Sequence, residues 1–269
     1  MFKKIKRLRK NFSLIELLIV IGIMGALTAL ILPQFQSAEE DAKDTGCDYN
    51  NSGTLRYVSM FKAVNGVYPS GFHTGLGGTA AASTVYGTDD DDPGIDPTCA
   101  NLTEACSIAL LDDTTNKYLT SMKKAGIVKV AVADEAAADI DGVQVATITG
   151  NWFEDNVGGT GDNPTDTLTF QGKSFTEWMA AGTAPDGKDG ILVPLFAATT
   201  MDWDNYYNEN GDAVGESKVS IALPGKCPWP EDGKLRFYIC FFKAYADGSP
   251  AKLIGTACPE CGTLNAGTF

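Results

Sequence analysis

Histidine is almost missing from this chain: His73 is the only one in 269 residues. A Ser-His-Asp triad or a histidine-based metal centre would have to be built around that single imidazole. The residues around it carry no nucleophile motif, and it is expected in a surface loop beside Gly71 and Gly75. The phosphate-cradling loop of nucleotide hydrolases is absent too, and Gly75, Gly77 and Gly78 do not follow a strand as a dinucleotide fingerprint would require. Cys258-Pro259-Glu260-Cys261 is followed by Gly262, where covalent attachment of a c-type haem needs histidine. Acids are too common for any pair to single out a glycosidase. The expectation is a protein that is not an enzyme.

Positive charge is scarce after the first ten residues. Lys3, Lys4, Lys6, Arg7, Arg9 and Lys10 are 6 of the 21 basic residues, and none of the 34 acids lies among them; a chain without this segment carries 15 − 34 = −19. Such a surface repels nucleic acid, so bulk charge gives no reason to expect nucleic-acid binding.

What is present is a long apolar run. Residues 12–35 are interrupted by one acid, Glu16, and residues 17–33 hold no charge. At about 1.5 Å rise per residue the run matches a hydrocarbon core of about 30 Å, so one helix is expected to cross a membrane. The basic segment sets the amino terminus in the cytoplasm and everything after Gln36 outside. An ordinary secretory signal has an apolar stretch of only about 7–15 residues, shorter than this one. Glu16 is the anomaly, because an ionised carboxylate in lipid costs at least a few kcal/mol unless it finds a partner. A cut between Asn11 and Phe12 would create a cationic amino group close to its depth.

The stretch Lys10-Asn11-Phe12-Ser13-Leu14-Ile15-Glu16-Leu17-Leu18-Ile19-Val20-Ile21-Gly22-Ile23-Met24-Gly25-Ala26-Leu27 closely resembles the leader and first helix of type IV pilins and type II secretion pseudopilins. The family usually has glycine before the cut, where this chain has Asn11. The resemblance implies that a prepilin peptidase cleaves between Asn11 and Phe12 and methylates Phe12. It also implies that Glu16 meets the Phe12 amino group of an adjacent copy during assembly. The implied partners are copies of the chain, other pilins, the peptidase, the inner-membrane assembly machinery and the membrane itself. The implied location is the inner membrane for precursor and stored subunit, with a periplasmic head, and then an extracellular or periplasmic filament.

Gly22 with Ala26 and Gly25 with Ala29 are four apart, so each pair lines one helix face and admits a close neighbour. Pro33 removes an amide donor and should loosen the helix. Leu55, Val58, Phe61 and Val64 recur every three residues and are expected on one stripe against a head. Asn65-Gly66 is a stop signal. The phrase at residues 61–69, Phe-Lys-Ala-Val-Asn-Gly-Val-Tyr-Pro, is similar to the end of the long helix in major pseudopilins. The expected organisation is a cleaved leader at 1–11, a membrane and polymerisation helix at 12–36, its amphipathic continuation at 37–65, and a head at 66–269 with large Gly/Asp-rich loops.

Within the head, residues 70–100 read as an irregular loop and 103–125 as a helix. Strands are expected at 127–132, 143–148, 168–170, 191–197, 219–223 and 235–244, with a helical turn or two at 175–181. The fold class is therefore α+β: a long amino-terminal helix, membrane-spanning in its first half, packed on a head with a mainly antiparallel sheet.

Seven cysteines in an exported domain point to oxidation, and their odd number leaves at least one outside any intrachain bridge. Cys227 with Cys240 and Cys99 with Cys106 are the expected pairs, with Cys258 and Cys261 further candidates. The Cys258–Cys261 turn also has the shape of half a zinc site, for which Cys227 and Cys240 would be irregularly spaced partners; zinc is the less favoured reading. Asp202, Asp204, Asn208, Asn210 and Asp212 form a polar loop of oxygen ligands, a candidate calcium site, although Tyr206 breaks the EF-hand pattern. Major pseudopilins bind calcium in a late loop, so the resemblance favours this site as well. The functional expectation is a structural subunit of a type IV pilus-like filament. The alternatives are a pseudopilin of a type II secretion piston and a lone membrane-anchored binding domain.

Overall fold

The computed structural model describes residues 14–75, 106–132, 136–148, 169–219, 237–258 and 264–266. The chain divides into two compact units, Met1–Asp44 and Thr45–Phe269. Helix α1, Leu14–Asn65, supplies the described part of the first unit and opens the second.

In the first unit every large apolar side chain from Leu14 to Leu27 lies open, from 48% exposure at Val20 to 82% at Leu14. Among the described residues no helix is long and apolar enough to cross a membrane. The expectation of a membrane-spanning first half is therefore not met within them. Side chains of the apolar run are described only as far as Ala29, and residues 17–29 extend about 20 Å, short of the roughly 30 Å of a hydrocarbon core.

In the second unit α1 presents a stripe at alternating spacings of four and three: Cys47, Asn51, Thr54, Val58 and Phe61 are all fully buried. This is the period that keeps residues on one face of a 3.6-residue helix. The strict three-residue spacing expected for Leu55, Val58, Phe61 and Val64 fails at its end, since Val64 is 52% exposed. Each three-residue step lags a full turn by about 60°, so Val64 faces about 180° away from Leu55. The helix stops where Asn65-Gly66 predicted: Gly66 adopts φ 81° and its amide donates to the Lys62 carbonyl at 2.8 Å.

The head is built on a seven-stranded sheet. Its strands are β1 (Phe72–His73), β3 (Lys129–Ala131), β4 (Ala138–Asp139), β8 (Gly190–Phe196), β11 (Ile239–Tyr245), β12 (Lys252–Ala257) and β13 (Leu264–Ala266). The order across the sheet is β13-β12-β11-β8-β1-β3-β4. β1 and β3 run parallel and every other neighbouring pair is antiparallel. Two-stranded ribbons flank it: β2 (Cys106–Leu110) with β5 (Gln144–Ile148), β6 (Thr169–Phe170) with β7 (Lys173–Ser174), and β9 (Asn205–Tyr207) with β10 (Ala213–Glu216). Two short helices, α2 (Tyr118–Lys124) and α3 (Phe175–Met179), complete the described elements.

Side-chain alternation in β11 makes two cores. Cys240, Phe242 and Ala244 join Val58 of α1, Met122 of α2 and Val193 of β8 on one face. Ile239 and Phe241 join Phe170, Phe175 and Trp178 on the other. Phe241 lies 5.0 Å from the Phe175 ring and 5.5 Å from Phe170. On β12 the pairing jumps from Gly255 to Leu253, which leaves Ile254 as a bulge and sends Leu253 to the first core and Ile254 to the second. α3 is started by a reciprocal cap: the Ser174 hydroxyl accepts from the Glu177 amide while the Glu177 carboxylate accepts from the Ser174 amide.

The α+β class with a mainly antiparallel sheet and an amino-terminal helix is as expected. The helix expected at 103–125 is instead β2 followed by α2. Asp112 and Asp113 interrupt it: Thr114 bonds to the Asp112 carboxylate, and Asp113 accepts from the Thr120 amide at 3.1 Å and caps the new start. β2 then pairs with β5, with Ser107 and Thr147 hydroxyls 3.0 Å apart. His73 is not on a surface loop; it is 4% exposed on β1 and its Nδ1 accepts from the Gly75 amide at 2.8 Å. Val219 is not in a strand, and residues 220–223 lie outside the described residues.

Candidate assembly helix and the head beside it

Glu16 lies in the first turn of α1 and is exposed, in the middle of the open apolar residues. Gly22 and Gly25 have nothing within 4 Å of where a Cβ would project, so both positions are clear for a close approach. Ala26 and Ala29 are exposed on the same helix, which also runs through Pro33. Asn11 and Phe12 lie outside the described residues. A helix surface this apolar gains roughly 25 cal/mol for each Å² it removes from water, so its chemistry is that of a segment completed by lipid or by other helices.

The candidate calcium loop does not assemble as one. Asp202 spends its carboxylate on the loop itself: it accepts from the Asp204 and Asn205 amides at 3.0 and 2.9 Å and from the Tyr207 hydroxyl at 2.5 Å. Burial would raise the Asp202 pKa, but these hydrogen bonds outweigh it and hold the carboxyl below its usual value, while Tyr207 is pushed up to about 12. Asn208 accepts from the Asn210 and Asp212 amides, each at 3.0 Å, and donates to Asp212 at 3.2 Å. The five residues thus fold the β9–β10 turn, and among the described residues no group of three or more His, Cys, Asp or Glu could hold a metal.

The cysteines also differ from expectation. Cys240 and Cys258 are buried thiols, so the Cys227–Cys240 pair does not form and Cys258 is not bridged to Cys261. The same finding removes Cys240 as an oxidised half of any bridge, and burial in the first core pushes its pKa up. Cys47, absent from the expected pairs, is disulfide-bonded. The Cys99 and Cys106 side chains and Cys227 and Cys261 lie outside the described residues.

Sequence reasoning missed the most strongly coupled polar group in the head. Lys243 on β11 is fully buried, yet its Nζ lies 2.7 Å from both the Asp186 carboxylate and the Lys188 carbonyl. Tyr245 donates to the other Asp186 oxygen at 2.7 Å. Burial works to raise Asp186, but the hydrogen bonds from Lys243 and Tyr245, with the Lys243 charge, bring it below the usual carboxylate value. The signal was available: a lysine inside Phe241-Phe242-Lys243-Ala244-Tyr245 shares its face with Phe241 and Tyr245, and a charge there needs a partner. The network ties the loop at residues 181–189 to the second core.

Comparison with known proteins gives the function its frame. No family model matches the chain, and no solved structure matches it. It is 35% identical over 65 residues to the type II secretion system core protein G of Pseudomonas aeruginosa, a match covering 24% of this chain and 46% of that protein. It is 36% identical over 61 residues to the type IV wide pilus major component PilA4 of Thermus thermophilus, covering 23% of this chain and 47% of that protein. The chain spans about half the length of the curated relatives it matches. On these matches it belongs with the type IV pilins and type II secretion pseudopilins.

Proposed function

We propose that this chain is a structural subunit of a type IV pilus-like filament and not an enzyme. It is made as a membrane-inserted precursor, cut between Asn11 and Phe12 by a prepilin peptidase, methylated at Phe12, and held in the inner membrane by residues 12–36. It then polymerises by burying that helix against its copies. Glu16 is neutralised by the Phe12 amino group of a neighbour, which removes the cost of a lone carboxylate in an apolar surrounding. The head faces outward. The observation that carries the reading is a run of ten large apolar side chains, all open in a single chain, around one acid. The names of both relatives support it.

The secretion-piston reading is supported by the name of the Pseudomonas relative and by the phrase at residues 61–69. Purifying filaments from the native source, imaging them and identifying their subunit separates the two. Long extracellular fibres built from this chain support the pilus; short periplasmic assemblies support the piston; neither containing this chain overturns both.

A further inference from the structure

Cys47 of α1, Tyr238 just before β11 and Cys258 just after β12 form a small buried cluster of their own, none more than 1% exposed. Register brings them together. The Thr256 hydroxyl donates to the Asn51 carbonyl at 3.3 Å. Two residues further along the strand, about 6.6 Å, is Cys258, and four residues back along the helix, about 6 Å, is Cys47, so both sulfurs reach the same level of the seam. Ile239 pairs with Ala257, which sets Tyr238 across from Cys258, and the Tyr238 hydroxyl lies 3.8 Å from the Cys47 sulfur. Cys47 is already in a disulfide, whose other sulfur lies outside the described residues, while Cys258 is a thiol.

We infer that Cys258 and the Cys47 disulfide are an exchange pair that can move the covalent link of α1 onto the sheet. The Cys258 thiol loses its proton and the thiolate attacks Cys47 Sγ. A Cys47–Cys258 bond forms as the existing S–S bond breaks, and the displaced cysteine leaves as a thiolate that takes up a proton. One disulfide is consumed and one is made, so no oxidant or reductant is needed. The new bond staples α1 directly to the end of β12. Burial opposes the thiolate while the cluster is closed, so exchange follows opening of the helix–sheet seam around Tyr238.

Non-reducing peptide mapping by mass spectrometry tests this on the full chain in detergent. The protein is held at pH 8.5 without reductant, in urea below its unfolding midpoint, then acid-quenched and alkylated over time. The expected result is a growing Cys47–Cys258 peptide pair with a matching loss of alkylatable Cys258 and gain of one newly alkylatable cysteine; Cys258→Ser abolishes both changes. Recovery of the original Cys47 linkage alone, with Cys258 alkylated throughout, overturns the inference. The wild-type time course decides the matter even if the variant fails to fold.

Discussion

The amino-terminal part of α1 and the head solve opposite problems. From Leu14 to Leu27 the helix shows its apolar side chains on all sides and isolates one acid among them. The head instead hides its apolar groups in two cores and even buries a lysine, supplying it with Asp186, Tyr245 and a backbone carbonyl. A charge in an apolar setting is thus satisfied within the chain in one region and left for a partner outside the chain in the other. That contrast explains why the head can be self-sufficient while the first helix is not.

The largest effect tests the self-sufficient half. Lys243→Ala leaves the Asp186 carboxylate facing an apolar core, and urea unfolding of the head should show a loss of about 3–5 kcal/mol. Lys243→Met with Asp186→Asn, which removes both charges, should recover most of it. Glu16→Ala tests the other half: losing a pairing worth about 3 kcal/mol should cut filament yield about 100-fold while leaving membrane insertion and head unfolding unchanged. Equal filament yield would remove Glu16 from assembly.

Smaller effects sharpen the picture of the head. Gly71 holds φ 86° against the 200–202 turn, where a Cβ would press on backbone, so Gly71→Ala should cost about 1–3 kcal/mol in thermal or urea unfolding. Ser174→Ala removes the cap of α3 and should cost about 1 kcal/mol by the same measurement. Acid titration should show the least. The Asp186 carboxyl is held below its unfolded value, so its contribution is present above an unfolded pKa of about 3.9 and fades as pH falls through the lower folded value. Urea midpoints between pH 6 and pH 3 should fall more for the wild type than for the double variant at 186 and 243.

Much of this was legible in residue order. The apolar run with its single acid, the Asn65-Gly66 stop, the Ser174-to-Glu177 cap and the β-branched stretches that became β5 and β8 are local signals, each fixed by neighbours within a few residues. What could not be read depended on distant partners. β2 looked helical until β5 offered it a ladder, and the two-residue strands β1 and β4 carry no pattern of their own. The aspartates and asparagines of residues 202–212 looked like ligands because turn-forming oxygens and metal-binding oxygens are the same atoms. Only their amide donors distinguish the two roles.

Mass spectrometry of the amino terminus of the native protein tests the central claim most directly. The account predicts a chain that begins at a methylated Phe12. A chain that retains residues 1–11 and stays monomeric in detergent would contradict it.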